Sequence, residues 1–260
     1  MGITFGSFYT LAVYRIPQGQ DITHTHSYCP KCDHKLGFWD LIPVFSYVFL
    51  GGKCRYCHQK IRPRYFILEL VSGLFFLLVA FCLTLSVETL TLMQIAEFAF
   101  FVLYFTFVVL MAAIDKENRK MNQPVVMYGV IISLMYIVYL CIVEKANIYR
   151  YGIYVVFYLI VLLLDTITLK KRAKNRYVYG ILLTLLTMIV FTGEYVTFTT
   201  VVITLLSIAI YLLIHQISKV HQKNKQSDKQ IGDEITIGYL LGLVNTIFFV
   251  FVLFYQNYLS

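Results

Sequence analysis

Of 260 residues, 59% are hydrophobic and 14% are charged, against roughly 25% charged in an average soluble domain. With 21 Phe and 21 Tyr the chain carries more apolar side chain than a water-wetted surface of this size can hide. This excludes an ordinary cytosolic enzyme, a disordered chain and a secreted disulfide scaffold. The net charge of +8 reads as the cationic loops of a membrane protein and not as a nucleic-acid footprint.

A bilayer span needs about 20 mostly apolar residues. In chain order the candidates are 1–14, 65–85, 90–114, 122–143, 151–169, 177–192, 195–214 and 235–258. The first is short: either it is tilted and frayed or the true start lies upstream of Met1. No basic region precedes it, which argues against a cleaved signal peptide. The connecting segments alternate in character. Residues 15–64, 115–121, 170–176 and 215–234 hold 20 of the 22 Lys and Arg residues, and only Lys145 and Arg150 fall between the other spans. By the positive-inside rule the basic set is cytoplasmic, which places both chain ends outside the cytoplasm. The expected fold is therefore all-α and polytopic, with about eight transmembrane helices. It comprises a first span at 1–14, a cytoplasmic insert at 15–64 and a helical membrane domain at 65–260 with about seven spans. No internal sequence repeat is visible.

The insert contains Cys29-Pro-Lys-Cys32 and Cys54-Arg-Tyr-Cys57. Two C-x-x-C knuckles at this distance supply four thiolates to one tetrahedral zinc ion. A cytoplasmic loop is reducing, which argues against two disulfides. A full set of four cysteines makes the site closed and structural, with metal binding supplying folding energy to a loop too small for a core. His24, His26, His34 and His58 lie nearby and are not needed as ligands. Cys82 and Cys141 lie within spans and read as small buried residues.

Several ordered motifs are similar to bacterial type IV prepilin peptidases. They begin with Gly6-Ser7-Phe8 and Tyr14-Arg15-Ile16-Pro17, and continue through Ser27-Tyr28-Cys29 to Cys32. Asp40-Leu41-Ile42-Pro43, Ser46 and Gly52-Lys53-Cys54-Arg55-Tyr56-Cys57 follow, then Ile61, Arg64-Tyr65, Glu69 and Gly73. The resemblance covers about a quarter of the chain. It implies an intramembrane aspartic endopeptidase of the bacterial plasma membrane. Such an enzyme removes the leader of type IV prepilins or competence pseudopilins and thereby serves pilus assembly or secretion. Many members also N-methylate the new terminus with S-adenosylmethionine. The sequence has no Rossmann-type glycine run for such a donor, so that cofactor rests on the resemblance alone.

Peptide hydrolysis by this route needs two carboxylates that share one proton. Of the 14 acids, Glu69, Glu97, Asp115, Asp165 and Asp233 fall in or at the ends of spans, where ionisable groups are functional suspects. Asp115, in Ala113-Ile114-Asp115-Lys116, resembles the family's first catalytic Asp, and the plain alternative is a helix-terminal acid paired with Lys116 or Arg119. The family's second Asp belongs to a Gly-x-Gly-Asp motif some sixty residues later. Here that place reads Arg172-Ala173-Lys174-Asn175-Arg176-Tyr177, with no Asp. Ile231-Gly232-Asp233 retains a Gly-Asp pair, and Asp165 has the better spacing. The expected pair is Asp115 with Asp233, and Asp165 is the substitute. Ile237-Gly238 and Gly242 echo a glycine-bearing last-span motif of the family. The competing functions are a catalytically inactive homologue acting as a binding or assembly factor, and a small transporter with Glu69, Glu97 and Asp165 as a proton path.

Overall fold

The computed structural model describes residues 1–22, 26–83, 91–143, 147–168, 173–222 and 236–258. Among these the chain is helical, with no strand and only two isolated bridges, both in the insert. The helices are α1 (Gly2–Arg15), α2 (Phe45–Phe49), α3 (Arg64–Cys82), α4 (Leu92–Asn118), α5 (Gln123–Ile142), α6 (Ile148–Thr168), α7 (Ala173–Gln222) and α8 (Ile237–Tyr258). Six of them are long and apolar enough to cross a membrane, with mean hydropathy between 1.7 and 2.4. The chain is a polytopic helical membrane protein.

The eight expected spans map onto these helices with two corrections. Expected spans 177–192 and 195–214 are the two helical halves of α7, which a kink at Gly193, at φ +82°, separates. That backbone conformation suits a residue without a Cβ, so the expected turn narrows to a single residue. The span expected to end at Ile114 continues to Asn118, and Asp115 lies inside the last turn of α4 rather than after it. The first span is an α-helix of 14 residues, too short to cross unaided.

The chain divides into two compact units, Met1–Val102 with Leu253–Ser260, and Leu103–Val252. In the first unit α1 packs along α3 through glycines. A Cβ on Gly2 would stand 2.8 Å from the Gly73 Cα, and one on Gly6 would stand 2.5 Å from the Glu69 Cα. Small residues four apart let two helix backbones meet where lipid offers no hydrophobic drive. The motif residues Gly6, Glu69 and Gly73 are thus one packing seam.

In the second unit the core is aromatic and polar together. The Phe191 ring lies between Tyr104 and Tyr136, with both centroid distances 4.5 Å, which joins α4, α5 and α7. The Tyr104 hydroxyl donates to Asn245 Oδ1 on α8 at 2.5 Å, and Asn245 Nδ2 donates to Thr200 Oγ1 at 3.3 Å. Tyr158 shares hydrogen bonds with Ser133 and Thr187. Thr184, Thr187, Thr200 and Thr204 each donate to the carbonyl four residues earlier, so their hydroxyls are satisfied within the helix. Cys82 is buried as expected. Cys141 is exposed on the outside of α5, against the expectation that both are buried. A thiol is apolar enough to face lipid there.

Candidate functional site

The insert folds around its cysteines. The donor atoms of Cys29, Cys32, Cys54 and Cys57 all lie within 4.8 Å of one another, and Cys29 Sγ stands 3.9 Å from Cys57 Sγ. A tetrahedral zinc with Zn–S bonds of about 2.3 Å has sulfur–sulfur edges of about 3.8 Å, so the four thiols fit one such ion. None of them is in a disulfide.

Both knuckles are built alike. Cys29 N–H donates to His34 C=O, and Asp33 N–H donates back to Cys29 C=O; Cys54 N–H donates to Gln59 C=O, and His58 N–H to Cys54 C=O. Asp33 and His58 each take φ +56°, and Tyr28–Lys35 and Lys53–Lys60 form matching bridges. The same backbone scheme therefore repeats 25 positions apart, a repeat not visible in the side chains. Backbone N–H groups, first that of Cys57, hold the Cys54 thiol down to about 7. The backbone beside His34 favours the Cys32 thiolate, but burial and the neighbouring sulfurs outweigh it and push that thiol up to about 12. Four thiolates this close repel one another, and a bound cation removes the conflict.

Asp40 clamps the two halves of the insert. It accepts from Arg55 Nε at 2.6 Å, from the Tyr56 hydroxyl at 3.2 Å and from Gly37 N–H at 3.1 Å. Burial alone raises its carboxyl, but these three donors hold it below the usual carboxylate range. The His34 ring meets Tyr56 across the knuckles at 3.6 Å. Of the other histidines, His24 lies outside the described residues. Arg15, buried at the end of α1, donates to the carbonyls of Asp21 and His26 and so anchors the start of the insert. Glu69 is buried in α3. It accepts the Val44 N–H at 2.7 Å and the Ser7 hydroxyl, which ties the insert to the α1–α3 pair. Val44, β-branched and at φ +66°, is a strained residue held by that bond.

Asp115 is fully buried. Its Oδ2 accepts from Gly238 N–H at 2.9 Å and from the Tyr177 hydroxyl at 3.3 Å. Its Oδ1 is buried with no hydrogen-bond partner among the described residues, as are Thr236 Oγ1 and Asn122 Oδ1. A carboxylate in the last turn of its own helix is badly placed for the helix dipole, but here it lies at the N-terminus of α8, where the dipole favours it. Lys116 does not pair with it: its Nζ stands over the Tyr239 ring at 4.3 Å. A Cβ on Gly238 would stand 2.7 Å from Asp115 Oδ2, and one on Gly242 would stand 2.8 Å from the Ala112 Cβ. The Gly238-x-x-x-Gly242 spacing was the readable signal for this close packing of α8 on α4.

Asp165 is also buried, and its Oδ2 accepts from Gln123 Nε2 at 3.4 Å. It lines a small cavity of about 20 Å³ with Met121 and Gly180. Asp233 lies outside the described residues. The hydroxyl on Asp115 comes from Tyr177, at the place where the resemblance calls for a second Asp. The sequence offered no signal for this, since a lone Tyr at a helix start is commonplace.

Residues 1–83 match the family model described as the Bacterial Peptidase A24 N-terminal domain. Among curated relatives, the Prepilin leader peptidase/N-methyltransferase of Vibrio cholerae is 40% identical over 78 residues, which are 27% of this chain and 31% of that protein. The proteins of the same name from Klebsiella pneumoniae and Pseudomonas putida are 34% identical over 95 residues and 27% identical over 157 residues. These alignments cover 34% and 52% of this chain, and 42% and 51% of the relatives. The chain thus spans about a third to a half of the length of these relatives. No solved structure matches it. The chain is similar to type IV prepilin peptidases, most strongly through its first third.

Proposed function

We propose that the chain is an integral-membrane endopeptidase of aspartic type that removes the leader of a type IV prepilin or competence pseudopilin. The observation that carries the reading is Asp115: a fully buried carboxylate held through one oxygen, whose other oxygen is buried with no hydrogen-bond partner among the described residues. Such a group in a membrane protein is expensive and is a functional-site suspect by default. Asp233 is the proposed second acid, and it stands five positions before the glycine whose N–H holds Asp115. In the proposed step Asp115 Oδ1 takes a proton from water as the water oxygen bonds to the scissile carbonyl carbon. Protonated Asp233 donates to the carbonyl oxygen. The C–N bond of the resulting diol then breaks, the leaving amine takes the proton held by Asp115, and a diol hydroxyl returns a proton to Asp233.

The insert is proposed to be cytoplasmic, from the division of Lys and Arg, and its four cysteines to hold structural zinc. It would present the leader at the cytoplasmic membrane face. Methyl transfer from S-adenosylmethionine is implied by the relatives' name alone, and no residue is assigned to it.

One observation favours a second reading. The side-chain donor on Asp115 is a tyrosine hydroxyl, and a homologue without a working acid pair would act as a membrane binding or assembly factor. Co-expression with a prepilin separates the two. Leader removal, followed by the mass and N-terminus of the product, supports the peptidase. Intact prepilin that co-purifies with the chain supports the assembly factor. The same mass reports whether the new terminus carries a methyl group.

A further inference from the structure

The insert carries an apolar surface that neither the metal centre nor Asp115 uses. Phe38 and Trp39, in the 3-10 turn Phe38–Asp40, are 77% and 72% exposed. Phe45, Val48 and Phe49 on α2 are 55%, 61% and 84% exposed. Positions 45, 48 and 49 follow the i, i+3, i+4 spacing, so they form one face of α2. The 3-10 turn packs against α2, and the Phe38 and Trp39 rings meet edge to face at 5.8 Å. The five exposed apolar side chains therefore stand on two adjoining elements of the insert. They belong to the loop between spans, so the apolarity of a transmembrane helix does not account for them.

The other side of α2 fixes its height. Tyr47 stacks on Phe66 of α3 at 5.1 Å, and Val44 N–H is bound by Glu69 of α3. Phe66 and Glu69 are two and five residues beyond Arg64, where α3 begins. At 1.5 Å per residue they lie about 3 and 7.5 Å along the helix. An element fastened at that height on a membrane-spanning helix is at the boundary between headgroups and hydrocarbon, where aromatic side chains concentrate. The flank is basic: exposed Lys53, Lys60 and Arg62 border an open groove of about 340 Å³ beside Tyr47. Aromatic side chains on one side and cations on the other are complementary to an anionic lipid surface.

We propose that the Phe38–Phe49 segment is an interfacial anchor. Its aromatic face lies in the leaflet that α3 enters, and the flanking Lys53, Lys60 and Arg62 lie among the lipid phosphates. The inference is independent of peptidase activity. Trp39 is the only tryptophan of the chain, so it reports on the patch directly in the full-length protein. The protein is reconstituted with zinc in nanodiscs of phosphatidylcholine and phosphatidylglycerol, with or without acyl chains brominated near the headgroup. The expected result is blue-shifted Trp39 emission, protection from iodide and loss of most intensity in brominated lipid. Phe45→Ser with Val48→Ser and Phe49→Ser should weaken that quenching, with zinc content unchanged. Water-like emission, open to iodide and indifferent to bromine, overturns the proposal. So does blue-shifted emission that brominated lipid leaves alone, which means that protein covers the patch. A blue shift that appears only after a prepilin is added overturns it in favour of a protein-docking surface.

Discussion

At Asp40 three donors from two parts of the insert converge on one carboxylate. Arg55 and Tyr56, two of those donors, lie between the cysteines of the second knuckle, so the acid orients that knuckle without touching the sulfurs. Asp40→Asn keeps the shape but removes the charge that Arg55 pairs with. Support of this kind around a metal site is worth about 10–100-fold in affinity. The variant should lose zinc to a chelator about tenfold faster than wild type, read with a colorimetric zinc indicator at neutral pH. An unchanged rate would make the clamp ornamental. Asp115 is the contrasting residue. Its motif singled it out in the sequence, but its contacts were not legible there. The donors on it come from residues 62 and 123 positions away in sequence, and no local pattern encodes which helix end will meet a carboxylate.

Between helices, the α1–α3 seam gives a comparison within one interface. A methyl on Gly6 meets the Glu69 backbone, while a methyl on Gly73 meets the Ile3 Cγ2 at 2.7 Å. The Ile3 methyl can give only through a χ1 shift that a β-branched helical residue resists, and a helix backbone cannot give at all. Gly6→Ala should therefore destabilise by about 1–3 kcal/mol. Gly73→Ala should cost less than Gly6→Ala, because part of its strain is relieved in the side chain and Ala also stiffens the unfolded chain. Denaturation of both variants in detergent, followed by circular dichroism, checks the order. The reverse order would mean that α1 and α3 are not held through Gly6. The helices themselves were readable because twenty apolar residues have few other options in a bilayer. The single-residue break at Gly193 was read as a two-residue turn, since hydropathy does not report where a backbone leaves the helix. The repeat of the two knuckles was missed for a related reason: it lies in backbone hydrogen bonds and in φ, and the side chains at Asp33 and His58 share nothing.

The whole chain combines an insert gathered around four cysteines, a glycine-packed helix pair and a unit whose helices are joined by buried rings and hydroxyls. Its cations fall 20 to 2 between alternate connecting segments. Labelling of single cysteines introduced at Lys120 and Lys225 in a background without native thiols outside the zinc site should find both on the cytoplasmic side. Opposite sides would refute the eight-span map. The clustering of the four cysteines was legible because each knuckle is a motif with its own chemistry. Tyr177 and the α8 N-terminus were not, because their part in the site exists only after the helices pack. The central claim is that Asp115 and a second acid cut a prepilin, and the most direct test is leader removal by variants that keep the fold. In membranes that also contain the prepilin, wild type and Asp165→Asn should cleave it. Asp115→Asn and Asp233→Asn should each leave it intact, with zinc content and membrane insertion as in wild type. Continued cleavage by Asp115→Asn would contradict the account.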